Sequence, residues 1–227
     1  FEADDGTNGD ELWKYDGVNA PSMVADINPG SSSGSIWQKT VFNNELYFRA
    51  NGGTHGSELW KYDGVNAPNM VADINPSGDS YPTYLTVFNN ELYFRAYDGT
   101  NGYELWKYDG ANAPSMVSDI NPSGDSYPLY LTIFNNELYF KADDGTNGDE
   151  LWKYDGVNAP SMVADINPSG NSLPAYLTVF NNELYFRAFD ATNGYELWRY
   201  DGTNAPSMVA DIYLSLIHIS EPTRLTS

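Results

Sequence analysis

Residues 104–110 read Glu104-Leu-Trp-Lys-Tyr-Asp-Gly110, and the same seven residues stand at 11–17, 58–64 and 150–156. A fifth copy at 196–202 differs only in Arg199, which replaces the lysine. The copies start 47, 46, 46 and 46 residues apart, and the sequence between them repeats almost verbatim. A fixed period of this length marks an array of one supersecondary unit, in which each copy buries its apolar faces against its neighbours. The repeat therefore fixes the architecture first.

Within one period, four short runs of β-forming residues alternate with turn residues. They are Tyr84–Phe88, Glu91–Ala96, Glu104–Tyr108 and Met116–Ile120. The breaks are Asn89-Asn90, Asp98-Gly-Thr-Asn-Gly102, Asp109-Gly-Ala-Asn-Ala-Pro114 and Asn121-Pro-Ser-Gly-Asp-Ser-Tyr-Pro128. Asn and Gly tolerate positive φ, so these are turns with a mechanism. No segment of the repeat has a 3.6-residue apolar period. Apolar and aromatic residues fall on both faces of a strand, as Leu92 and Phe94 do against Tyr93, which suits a sheet covered on both sides. Four antiparallel strands in about 46 residues is the size of a β-propeller blade. A β-solenoid would have a shorter period, and a sandwich would not repeat so strictly. The expected fold is all-β: a β-propeller of four-stranded antiparallel blades, with five blades (one incomplete) or an arc of a larger propeller.

The array resembles the ELWxxDGT-type repeats of secreted or surface bacterial proteins, and the resemblance covers residues 1–212. It implies a propeller and export to an extracellular or cell-surface location; it implies no established activity. A looser similarity to the Asp-box hairpins of sialidase-like propellers rests on Asp98-Gly-Thr-Asn-Gly-Tyr-Glu-Leu-Trp106, whose spacing is longer than a regular Asp-box. After Ile212 the repeat stops, and residues 214–224 have no counterpart in any other copy. That segment resembles a translated sequencing-library adapter. Residues 1–212 are therefore expected to form the propeller repeat domain, truncated at both ends, and 213–227, His218 included, a non-native tail.

Composition narrows the function classes. The net charge is −20 at pH 7, and residues 58–103 alone place six acids (Glu58, Asp63, Asp73, Asp79, Glu91, Asp98) against Lys61 and Arg95. No basic patch is left to neutralise phosphates, which argues against nucleic acid as a partner. No apolar run reaches the length of a membrane span, so no membrane insertion is expected. The chain has no cysteine, which removes disulfides and thiolate metal sites. Oligomeric state is left open by the sequence.

Positions identical in every copy are first of all scaffold. Two positions flanking the Asp-Gly-Thr-Asn-Gly hairpin vary together: Asp4/Asp10, Asn51/Ser57, Tyr97/Tyr103, Asp143/Asp149 and Phe189/Tyr195. Acid meets acid, small polar meets small polar and aromatic meets aromatic, as expected of facing cross-strand pairs. The strand order places this hairpin and the long link at 121–128 on one end of the blade, and the Asn-Asn turns and Asn-Ala-Pro links on the other. Loops on a rigid scaffold are the usual carriers of function.

Tyr97, Tyr103, Phe189 and Tyr195 are the candidate ligand-binding residues, as aromatic platforms for sugar rings or anchors for a protein partner. Two facing aspartates repel unless solvated or bridged. Asp143, Asp144, Asn147 and Asp149, with Asp4, Asp5, Asn8 and Asp10, are candidate ligands for Ca²⁺, which takes about six to eight oxygens. No cofactor is required otherwise. Trp13, Trp60, Trp106, Trp152 and Trp198 recur unchanged and are expected in the interblade core. No catalytic residues are expected: there is no phosphate loop, and nearly every carboxylate recurs in each copy, whereas glycoside hydrolysis needs an asymmetric pair. Arg49, Arg95 and Arg187 occupy one equivalent strand position, with Lys141 in the fourth copy, and so form no distinct cluster in sequence. Residues 30–40 carry the one-residue insertion, with Lys39 in place of leucine, and point to an altered first strand or register; Trp37 and Gln38 stand out there. The expected function is a non-catalytic extracellular binding or scaffold module whose ligand is a glycan or a protein. The alternatives are the propeller part of a hydrolase whose catalytic residues lie outside this chain, and a structural spacer with Ca²⁺-stabilised loops.

Overall fold

The computed structural model describes residues 1–212; the tail at 213–227, with His218, lies outside the described residues. Every element among them is a strand. The chain divides into two compact units, Phe1–Leu131 and Thr132 onward.

The first unit opens with a three-stranded sheet, β1 (Glu2–Asp4), β2 (Asp10–Lys14) and β3 (Ser22–Ala25). Two four-stranded sheets follow: β4 (Trp37–Phe42), β5 (Glu45–Asn51), β6 (Ser57–Tyr62) and β7 (Asn69–Ala72), then β8 (Thr83–Phe88), β9 (Glu91–Tyr97), β10 (Tyr103–Tyr108) and β11 (Ser115–Ser118). The next sheet is β12 (Leu129–Phe134), β13 (Glu137–Asp143), β14 (Asp149–Tyr154) and β15 (Ser161–Ala164), and the unit boundary falls within β12. The second unit ends with β16 (Ala175–Phe180), β17 (Glu183–Asp190), β18 (Gly194–Tyr200) and β19 (Ser207–Ala210). Each sheet is an antiparallel meander in sequence order, the blade expected from the repeat.

Burial on both faces follows from the side-chain alternation of the central strands. In β9, Leu92, Phe94 and Ala96 point one way and Tyr93 the other, and all four are fully buried. Within the first unit, Phe42, Tyr47 and Leu59 of one sheet pack with Leu85, Leu92, Phe94 and Tyr108 of the next. Leu12, Ile27, Phe48 and Ala50 form a second cluster. The second unit repeats the arrangement with Phe134, Tyr139, Leu151, Leu184, Phe186 and Tyr200. Of the recurrent tryptophans, Trp152 is buried, while Trp60, Trp106 and Trp198 are partly buried and pack against the clusters.

The turns use their residues as anticipated. Asn89 and Asn90 adopt φ of 48° and 60°, the left-handed pair of a tight hairpin, and Asn43/Asn44, Asn135/Asn136 and Asn181/Asn182 do the same. The Asp-Gly-x-Asn segments at both ends of a blade share one clasp. Asp98 Oδ1 accepts the Thr100 and Asn101 amides at 2.8 Å each, and Asn101 Nδ2 donates to Asp98 Oδ2 at 2.6 Å. Asp109 repeats this with Ala111 and Asn112. Hydrogen bonds from Asn112 and Ala111 hold the Asp109 carboxyl down at about 2.

The insertion near residue 30 leaves the strand register intact. Trp37 pairs with Arg49 and Thr40 with Tyr47, just as Thr83 pairs with Arg95 and Thr86 with Tyr93. The extra residue is absorbed in the preceding link, where Gly30 has φ of 105°. The expected altered register is therefore not found.

The glutamate of the repeated motif explains how consecutive strands are tied to the link that follows. Glu104 is fully buried. Its Oε2 accepts the Ile120 amide at 3.0 Å and the Ser126 hydroxyl at 2.6 Å, and its Oε1 accepts the Ser126 amide at 3.1 Å. Glu58 makes the same bonds to Ile74 and Ser80, and Glu150 to Ile166 and Ser172. Burial pushes Glu58 and Glu104 up to about 7, against the opposing pull of the serine and amide hydrogen bonds, and raises Glu11 and Glu150 too. A carboxyl whose folded pKa exceeds its unfolded one holds a proton the unfolded chain has released. Its contribution is fully present below about pH 4.5 and lost as pH rises through about 7. The turn aspartates held at about 2 contribute above about pH 4 and lose that contribution only as pH falls below it, so they add no change between pH 5 and pH 8. The chain is thus expected to unfold at higher urea at pH 5 than at pH 8, by roughly 1–3 kcal/mol for each of Glu58 and Glu104. A midpoint that is flat or rises across that interval would contradict the assignment.

Candidate functional site

The five covarying pairs are cross-strand partners. Asp4 faces Asp10, Asn51 faces Ser57, Tyr97 faces Tyr103, Asp143 faces Asp149 and Phe189 faces Tyr195. The hairpin and the long link meet at one end of the blade. Asp125 Oδ1 accepts the Tyr103 amide at 2.8 Å, and the Ser126 and Tyr127 amides both donate to the Tyr103 carbonyl at 3.1 Å.

This junction is aromatic in the first unit. Tyr97 and Tyr103 have ring centroids 5.2 Å apart, and Tyr103 stacks on Tyr127 at 5.2 Å with 22° between the planes. Arg95, two residues before Tyr97 on the same strand, lies under three rings: its Cζ is 4.9 Å from Tyr103, 5.7 Å from Tyr84 and 5.8 Å from Tyr127. Tyr84 meets Tyr130 edge-on at 5.9 Å. In the neighbouring sheet Arg49 lies 5.8 Å from Tyr81 and 6.0 Å from Trp37. The Tyr84 amide donates to Gln38 Oε1 at 2.8 Å, which brings the odd segment at 30–40 into the same site. In the second unit Phe189 and Tyr195 meet edge-on at 5.2 Å, with Arg187 4.6 Å from Tyr195 and 5.3 Å from Tyr176.

Backbone conformation aims several of these rings. Tyr81, Tyr84, Tyr127, Tyr130 and Tyr176 all have φ between 45° and 61°. Left-handed backbone at bulky residues is uncommon and marks positions that the surrounding structure over-determines. A register irregularity between Thr83 and Thr86 accompanies Tyr84, and the same one recurs between Ala175 and Thr178 around Tyr176.

The acidic hairpins are organised differently. Asp144 Oδ1 accepts the Thr146 and Asn147 amides, while Asn147 Nδ2 donates to Asp144 Oδ2. Asp143 Oδ1 caps the Gly145 amide at 2.7 Å. Asp149 forms an ion pair with the buried Lys141. That lysine offsets the repulsion between the facing aspartates. Asp4 and Asp5 cap the Gly6, Thr7 and Asn8 amides, and Asp10 accepts from Ser33 at 3.3 Å. Among the described residues no three or more His, Asp or Glu side chains converge as a metal-binding group. In both candidate Ca²⁺ sets one oxygen of each of Asp4, Asp10, Asp143 and Asp149 is engaged in a turn bond, a serine bond or an ion pair.

Recurrence hides the arginines in the sequence, yet in the first unit it sets Arg49 and Arg95 at equivalent strand positions, each among aromatic rings. The signal was present in the covariation: arginine accompanies an aromatic hairpin pair at 95 and 187, and lysine accompanies the acidic pair at 141.

No family model matches the chain, and no curated protein matches it. Solved structures do. The β-propeller domain of the Trilobed protease from Pyrococcus furiosus is similar at 11% identity and a TM-score of 0.52, covering 76% of this chain and 54% of that one. A structure described in an analysis of two prolyl endopeptidases matches at 10% identity and TM-score 0.56, over 83% of this chain and 28% of that one. The Pyrococcus horikoshii acylaminoacyl peptidase matches at 11% and 0.53, over 81% and 28%. The chain thus spans about half the length of the first and little more than a quarter of the others. At these identities the likeness is one of fold, and it makes the four-stranded sheets β-propeller blades.

Proposed function

We propose that this chain is a non-catalytic binding module, an extracellular or cell-surface propeller that takes a glycan or protein ligand on its hairpin end. The observation that carries the reading is the stacked Tyr97–Tyr103–Tyr127 cluster, built where the variable hairpin meets the longest link. Its rim is open: Tyr127 is 42% exposed and Tyr81 40%. Exposed aromatic rings held on a rigid sheet offer contact area at low entropic cost. The scaffold carboxylates have structural duties, so the acidity of the chain does not itself point to a cationic ligand.

A second reading draws on the solved structures that match, which include a protease's propeller domain and a peptidase. In that reading the blades are the propeller part of a hydrolase whose catalytic residues lie elsewhere. A glycan array separates the two. Binding that falls at least about tenfold in Tyr97→Ala and Tyr103→Ala, an effect of the size expected for truncating an interface anchor, supports the module. Binding untouched by both substitutions contradicts it.

A further inference from the structure

The four basic strand positions differ in how their charge is met. Lys141 is ion-paired with Asp149. The other ion pairs among the described residues are Lys61–Glu45, Lys107–Glu91, Lys153–Glu137, Arg199–Glu183 and His55–Asp73, so Arg49, Arg95 and Arg187 take part in none. In a chain of net charge −20 that is a selective omission. Arg95 Nε is moreover buried without a hydrogen-bond acceptor. Buried charges and donors are ordinarily paired, and an orphan asks for its missing partner.

The nearby acids do not supply it. Asp79 Oδ1 is taken by the Ser57 amide at 2.6 Å and Asp125 Oδ1 by the Tyr103 amide at 2.8 Å, and neither carboxylate reaches ion-pair distance of a guanidinium. Burial lowers the pKa of Arg95. Arg49 stands at the equivalent position of the adjoining sheet, opposite Trp37 as Arg95 is opposite Thr83, and Gln38 of that sheet accepts the Tyr84 amide. Tyrosine faces shield these cations but accept no N–H bond in the guanidinium plane.

We propose that Arg95, with Arg49 beside it, receives the carboxylate of an acidic sugar whose ring lies on the Tyr103–Tyr127 stack. This rests on the binding-module reading and names its ligand class. A guanidinium fork matches a carboxylate in two parallel hydrogen bonds. A uronic acid carries one such group on a ring whose C–H face suits a flat aromatic pair. A single negative charge also meets less repulsion from Asp79, Asp125 and Glu2 than a doubly charged phosphate would.

The test is calorimetric titration of the full chain in 0.15 M salt with trigalacturonate, with its methyl ester, and with a short peptide bearing a free or an amidated C-terminus. The expected result is binding of trigalacturonate that weakens at least about tenfold on esterification, in Arg95→Gln and in Arg49→Gln, the loss expected for one charge-assisted hydrogen-bonded partner. Arg95→Lys, which keeps charge without the fork, is expected to fall in between. Melting curves establish that each variant is folded, and Arg49→Gln, at the less buried arginine, carries the test if Arg95→Gln does not fold. Equal affinity for ester and acid, unaffected by either substitution yet lost in Tyr103→Ala, overturns the carboxylate inference and leaves the binding module standing. Binding only of the free-C-terminus peptide overturns the sugar in favour of a protein ligand. No binding of any probe overturns the inference, and a blank glycan array beside it overturns the module as well.

Discussion

Replacing Glu104 by alanine is expected to destabilise the chain by about 3 kcal/mol, because it leaves the buried Ile120 amide without its acceptor and the Ser126 amide and hydroxyl with the Tyr103 carbonyl alone. The Ile120 amide, the Ser126 amide and the Ser126 hydroxyl all point at this one carboxylate, and its surroundings are fully buried. Few exposed alternatives exist for those donors, since the link they belong to is pinned against the hairpin. For a chain of this size the loss corresponds to roughly a 10 °C drop in melting temperature. Glu104→Gln keeps one acceptor oxygen and is expected to cost less, while flattening part of the fall in stability between pH 5 and pH 8. A Glu104→Ala variant within about 1 kcal/mol of wild type would show that the motif glutamate is not the tie between blade and link.

Gly102→Ala is expected to cost about as much, for a different reason. Gly102 has φ of +83°, and an added Cβ would lie 2.6 Å from the Gly124 carbonyl oxygen and 2.9 Å from the Gly124 carbon. Both are backbone atoms of the link, so nothing flexible can yield. Gly6, at the equivalent backbone angle of +80°, has nothing within 4 Å of the same position. Gly6→Ala therefore isolates the conformational penalty, about 1 kcal/mol, and the remainder for Gly102→Ala, about 2 kcal/mol more, is the clash. Equal losses at the two sites, by urea denaturation, would remove the close packing of hairpin on link from the account. That packing is what sets Tyr103 against Tyr127.

Strand order, the Asn-Asn turns and the facing hairpin pairs were all legible in the sequence, because near-verbatim repetition made the alignment unambiguous and side-chain alternation in a strand is local. The glutamate tie was not. Its partners are donors 16 and 22 residues further on, and an identical residue in every copy carries no contrast to reveal its role. The left-handed tyrosines at 81, 84, 127 and 130 run against residue preference, and no sequence pattern marks them. The facing acids Asp143 and Asp149 were legible as a repelling pair, but the Lys141 ion pair with Asp149 was not, because the pattern of acids carries no mark of the basic residue beside them. The aromatic pairs stand out in the sequence because they vary, and the arginines beneath them do not because they recur.

The central claim is that the constant motif is scaffold and that ligand is taken where hairpin and link meet. The direct measurement is an amide chemical-shift titration of the chain with the strongest binder from the glycan array. The account predicts shifts confined to 97–103 and 121–130 and their counterparts near Arg49, with the Asn89-Asn90 turn and the 109–114 link unmoved. Shifts centred on 89–90 and 109–114 would place the ligand on the opposite end of the blade and contradict it.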